Sequence, residues 1–96
     1  MTRKEELEIL EKAYEGDLKS LEILFKEGIR LALSVASKYT DKSADLAYYT
    51  SKGFTGFLKA MESYHSSEAR GKGEFKFTTY ATWFMKKEVE KSLEEK

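Results

Sequence analysis

Residues 17–38 read DLKSLEILFKEGIRLALSVASK, and their spacing decides the fold class. Leu18, Leu21, Leu24, Phe25, Ile29, Ala32, Leu33 and Ala36 recur at the period of a helix with one apolar stripe, not at the alternation of a strand. Asp17 can open that helix by accepting a first-turn N–H. Gly28 interrupts the run and is expected to bend it or to divide it in two.

The flanking sequence continues the pattern. Upstream, Gly16 can end an earlier helix in a left-handed cap. Thr2 with Glu5 has the form of a capping box, and Leu7, Ile9, Leu10 and Tyr14 give that first helix its apolar side. Downstream, Thr40–Ser43 is a short connection, and a third helix is predicted from about Ser43 to Tyr64. Gly53 and Gly56 share a side of it. Each costs ~1 kcal/mol of helix propensity relative to Ala, which close helix packing would explain. His65–Gly73 (HSSEARGKG) reads as a loop, and a last helix runs from about Thr78 to Glu94. Only Phe75–Tyr80 alternates like a strand. The expectation is an all-α protein, a compact bundle of three to four helices forming a single domain over 1–96.

Composition narrows the function classes. Apolar residues make up 41% of the 96 and charged residues 35%, enough for one modest core. With no Cys, disulfide frameworks and Cys-based zinc sites are excluded. Met1–Glu6 is charged and shows no signal peptide, and no apolar run approaches the ~20 residues of a membrane span. A cytoplasmic protein without a membrane partner is expected. The only histidine, His65, lies in the polar loop without a nucleophile motif, so no enzyme and no catalytic residue is expected. Glu11 with Glu15 and Glu90 with Glu94 read as solvated helix faces, so neither a metal site nor a cofactor is expected.

The formal net charge of zero hides an asymmetry. Residues 1–28 carry five basic and eight acidic groups, whereas residues 70–87 carry five basic groups against Glu74 alone. That second stretch reads RGKGEFKFTTYATWFMKK. Its aromatics (Phe75, Phe77, Tyr80, Trp83, Phe84) are interleaved with Arg70, Lys72, Lys76, Lys86 and Lys87. On a helix, Thr79, Tyr80, Trp83 and Lys87 share one face, while Phe77, Ala81, Phe84 and Met85 line the next. The aromatics are either core or a stacking platform for unstacked bases, with the cations holding phosphates.

Lys76 to Lys87 resembles the promoter-melting helix of the sigma-70 family, whose pattern is Lys-Phe-Ser-Thr-Tyr-Ala-Thr-Trp-Trp-Ile-Arg-Gln. Lys76, Phe77, Thr79, Tyr80, Ala81, Thr82 and Trp83 are identical to it. Ile29-Arg30-Leu31-Ala32-Leu33-Ser34-Val35-Ala36-Ser37-Lys38-Tyr39 is similar to another family stretch, and Gly53-x-x-Gly56-Phe57-x-x-Ala60 resembles Gly-x-x-Gly-Leu-x-x-Ala. Glu15-Gly16-Asp17 followed by Leu21 is similar to the start of shorter sigma factors. The resemblance runs from about Glu8 to Leu93 and is to the second conserved region of these proteins.

The resemblance implies recognition and melting of the promoter −10 element. Phe75, Phe77, Tyr80, Trp83 and Phe84 would stack or support, and Thr79 would bond a base or sugar. Arg70, Lys72, Lys76, Lys86 and Lys87 would hold the non-template strand. The family's Asp-Leu-x-Gln-Glu-Gly, which helps dock RNA polymerase core, is replaced by Tyr48-Tyr49-Thr50-Ser51-Lys52-Gly53, with Phe54 following. Tyr48, Tyr49, Ser51, Lys52 and Phe54 therefore form the expected polymerase or partner face, its acidic groups gone. Two of the family's promoter-reading positions correspond to Lys87 and Glu90. The 96 residues hold no second DNA-binding domain, and the charged end Glu94-Glu95-Lys96 fits a helix cut short in a fragment. The alternative reading is a protein-interaction module for an anti-sigma factor or an atypical polymerase contact.

Overall fold

A computed structural model describes the backbone of residues 2–65 and 76–95. Four helices and no strand occur among the described residues. The first, α1 (Arg3–Tyr14), starts on the expected capping box: Thr2 Oγ1 accepts the Glu5 N–H, and Glu5 reaches back to the Thr2 N–H. It ends at Gly16, whose φ of +92° lies in the left-handed region that favours glycine.

Helix α2 (Leu18–Ala36) is capped by Asp17, which accepts the Ser20 N–H at 3.0 Å and the Ser20 hydroxyl at 2.6 Å. Gly28 does not divide it in two. The helix is continuous, and Gly28 is buried because a Cβ there would lie 2.7 Å from the Phe57 ring. The stripe is also narrower than the sequence suggests. Leu24, Gly28, Ala32, Val35 and Ala36 are buried, whereas Leu18, Phe25, Ile29 and Leu33 remain exposed. Small residues at 28 and 32 bring the next helix close, and the larger side chains fall outside that contact.

Helix α3 (Ser43–His65) is the long central element. It buries Tyr49, Gly53, Gly56, Phe57, Ala60, Met61 and Tyr64, spaced at three and four like any packed helix face. Gly28 meets Phe57 and Ala32 meets Gly53, so α2 and α3 run antiparallel. His65 belongs to this helix rather than to a loop, and its ring stands edge-on to Tyr14 with centroids 4.3 Å apart. The Tyr14 hydroxyl donates to the Met61 carbonyl at 2.7 Å, fastening α1 to α3.

Helix α4 (Phe77–Glu95) turns Phe77, Ala81, Met85 and Val89 into the core at every fourth position. The strand-like alternation at Phe75–Tyr80 is thus overruled for residues 77–80, which are helical. No helix among the described residues is long and apolar enough to cross a membrane. No group of three or more described His, Asp or Glu residues is placed to hold a metal.

Candidate nucleic-acid interface

The aromatic helix is seated by main chain as much as by side chains. A Cβ on Gly56 would lie 2.7 Å from both Met85 Cα and the Phe84 carbonyl oxygen, so α3 touches the backbone of α4 there. Farther along, Lys59 Nζ meets Glu88 Oε1 at 2.7 Å and ties the same two helices. At the other end of α2, the Tyr39 hydroxyl donates to Glu90 Oε1 at 3.3 Å. Burial, and then the Glu90 charge, push the Tyr39 phenol above its usual pKa.

This seating sorts the aromatics into three environments. Phe77 is fully buried, in edge-to-face contact with Phe57 and Tyr64 at 5.4 and 5.3 Å between centroids. It was expected among the DNA-contacting residues. That assignment is corrected: its ring faces are taken by core partners, and none is left for a base. Tyr80 and Phe84 are half-buried and lie 5.1 Å apart. The Tyr80 hydroxyl shares a 2.7 Å hydrogen bond with Ser63 Oγ, and its ring leans on Tyr64, so its orientation is set from α3. Trp83 is 52% exposed and lies 6.5 Å from Tyr80. It is the aromatic that offers a face to solvent.

Around Trp83, the exposed side of α4 carries Thr79, Lys87, Glu90 and Lys91, with Lys86 half-buried. An open cleft of about 470 Å³ is lined by Trp83, Lys86, Lys87, Glu90, Lys91 and Glu94. Lys76 is exposed just before the helix. Thr79, Trp83 and Lys87 thus share one surface, as their spacing predicts, with Tyr80 at its edge. Arg70, Lys72 and Phe75 lie outside the described residues. Chemically, the surface can stack one planar ring on Trp83, accept or donate through Thr79, and neutralise phosphate with several ammonium groups.

The second candidate face, on α3, divides. Tyr48 is 39% exposed, with Lys52 Nζ 5.3 Å from its ring centroid in a cation–π contact. Ser51 is exposed and donates to the Tyr48 carbonyl at 2.6 Å. Tyr49 is only 4% exposed and belongs to the core. Its expected place on a partner-binding face is corrected, because a helical step of one residue turns it about 100° away from Tyr48. Phe54 is half-buried between Phe25 and Phe57, at 5.9 and 5.8 Å.

Sequence reasoning missed Ser63, which fixes Tyr80, and Glu6, whose carboxylate is buried against the start of α4. Nothing in the local sequence marks Ser63. Glu6 has a signal at long range: the residue before α4 is a lysine, which cannot accept a helix N–H.

Comparison with known proteins points to sigma factors. No protein-family model matches the chain, and no solved structure does. The chain is similar to "RNA polymerase sigma factor RpoS" of Coxiella burnetii (strain RSA 493 / Nine Mile phase I), being 29% identical over 93 residues. The match covers 97% of this chain and 25% of that protein, so the chain spans about a quarter of the curated relative's length and is similar to a sigma factor over nearly all of its own.

Proposed function

We propose that this chain is a sigma-like transcription-initiation module, similar to the second conserved region of sigma-70 factors, that recognises a promoter −10 element and holds its non-template strand open. The observation that carries this reading is Trp83: an exposed ring on a helix that is otherwise locked into the core, with Thr79 and Lys87 on the same surface. Opening a duplex costs a few kcal/mol per unstacked base, and capture of a base on an aromatic face offsets it. Trp83 supplies that face, Tyr80 and Phe84 support it, and Lys76, Lys86 and Lys87 hold phosphates. Trp83 is the only tryptophan, so its fluorescence reports stacking directly. A −10-like single strand should quench it and bind more tightly than a scrambled strand. If Tyr80→Ala combined with Trp83→Ala leaves the affinity unchanged, the assignment is wrong.

The exposed Tyr48, with Lys52 beside its ring, favours a second role for this face of α3. An aromatic surface bearing a cation suits a protein partner better than water, and it lacks the carboxylates that would meet a basic polymerase coiled coil. On this reading core polymerase binds weakly and an anti-sigma-type or atypical polymerase contact uses Tyr48, Ser51 and Lys52. Titration against the isolated coiled coil tests it. Tight binding that weakens on Lys52→Glu with Tyr48→Asp would refute it.

A further inference from the structure

Among the described residues, no side chain next to the start of α4 caps it. The residue before it, Lys76, accepts the Tyr80 N–H through its carbonyl at 3.1 Å and so occupies the N-cap position. Lysine has no side-chain acceptor for the first-turn N–H groups, and its charge opposes the positive end of the helix dipole. Both deficits are met from the far end of the sequence. Glu6 of α1, only 3% exposed, accepts the Phe77 N–H across 71 positions. Its carboxylate also brings negative charge to the helix N-terminus, the favourable sign there. Glu6, Leu24, Glu27, Phe57, Lys76, Phe77 and Thr78 line the small cleft at this junction.

We propose that Glu6 is a positioning residue for the base-contacting helix: α1 caps the first turn of α4 in trans and thereby fixes Thr79 and Tyr80 for the strand. The proposal rests on the DNA-binding reading for its consequence, but the cap itself can be read without DNA. Without the Glu6 acceptor, the N–H of Phe77 is left buried and unpaired, and the first turn gains by fraying. Thr79 and Tyr80 lie in that turn, whereas Trp83 and Lys87 lie beyond it. Glu6→Ala should therefore weaken oligonucleotide binding without abolishing it.

The test uses three variants of the full chain: Glu6→Ala, Glu6→Gln, and Glu6→Ala combined with Lys76→Ser, which restores an acceptor locally. Amide hydrogen exchange without DNA should show Phe77 and its first-turn neighbours exchanging about five-fold faster in Glu6→Ala relative to core amides of α3, with Glu6→Gln in between. The Lys76→Ser combination should recover protection at Thr78 and Thr79, whose N–H groups an N-cap hydroxyl reaches, while Phe77 stays fast, a split that a general loss of stability would not produce. Affinity for a −10-like single strand should fall about three- to ten-fold in Glu6→Ala and much less in Glu6→Gln, which keeps an acceptor. Equal Phe77 exchange in wild type and Glu6→Ala would overturn the cap. Faster exchange with unchanged oligonucleotide affinity would overturn the positioning role. A wild-type chain that binds no oligonucleotide would instead overturn the functional reading, with the exchange data still deciding the cap.

Discussion

Gly56→Ala measures how closely α3 and α4 approach. The added Cβ would meet Met85 Cα and the Phe84 carbonyl oxygen at 2.7 Å and the Phe84 carbonyl carbon at 2.8 Å. Ordinary contact begins near 3.5 Å, so the helices must part by about 0.8 Å. All three atoms are backbone, and no rotamer change relieves them. With only backbone in the way, this overpacking falls in the upper part of the usual range, ~2–3 kcal/mol, and the better helix propensity of Ala returns ~1 kcal/mol. The net loss is about 1–2 kcal/mol, a fall in Tm of roughly 5–15 °C for a chain of this size. Two internal controls sharpen the test. At Gly53 the Cβ would lie 3.2 Å from Ala32 Cβ, a contact relieved by a few tenths of an ångström, so Gly53→Ala should stay within ~0.5 kcal/mol of wild type. At Gly28 the obstacle is the buried Phe57 ring, hemmed in by Phe54 and Phe77, so Gly28→Ala should fall nearer to Gly56→Ala. Thermal and urea unfolding followed by circular dichroism give the order. A Gly56→Ala chain as stable as wild type, or less damaged than Gly53→Ala, would refute the backbone-contact account.

Trp83→Ala should lower single-strand affinity by ~1–3 kcal/mol while moving the unfolding midpoint little, because half of the ring is already in water; fluorescence anisotropy and urea denaturation separate the two effects. Thr50 Oγ1 is buried with no hydrogen-bond partner among the described residues, so the isosteric Thr50→Val should be neutral or stabilising by up to ~1 kcal/mol, and a loss larger than that would reveal a hidden partner. Hydrogen bonds from the Ser20 hydroxyl and N–H hold the Asp17 carboxyl below its usual pKa. A depressed carboxyl contributes stability above its unfolded value and loses it as pH falls through the folded one, so the α2 cap should weaken below about pH 4. Asp17→Asn keeps an acceptor but cannot titrate, and urea midpoints measured from pH 2 to 6 should show a shallower acid loss in that variant.

Helix existence and the caps of α1 and α2 were legible in the sequence because they are local. Thr2, Glu5, Gly16 and Asp17 act within one turn of themselves, and each does in the structure what its residue type allows. What periodicity could not give was the width of a contact. It placed Ile29 and Leu33 with Leu24 and Ala32, although only Leu24 and Ala32 meet neighbours closely enough to be buried. It also read Gly28 as a break, because the Phe57 ring that needs the space lies 29 positions away. Within the candidate site, the shared surface of Thr79, Trp83 and Lys87 followed from helical geometry. The division of the aromatics into core Phe77, anchored Tyr80 and open Trp83 did not, since it depends on Ser63, Tyr64 and Phe57 arriving from another helix.

The cleft on α4 also bears on ionic strength. It interleaves Lys86, Lys87 and Lys91 with Glu90 and Glu94, and the Tyr39 hydroxyl pins one of those acids in place. A single strand held by this cleft alone would displace counterions at about three phosphates, which would make the logarithm of affinity fall with a slope of roughly −2 against the logarithm of salt. Raising salt from 50 to 200 mM would then weaken binding only about twenty-fold, where a densely basic binder loses a thousand-fold or more. The same arithmetic leaves little attraction for arbitrary DNA. If the proposed role holds, a cleft so sparing of charge would depend on a tether or a larger assembly to hold it at millimolar effective concentration beside one strand.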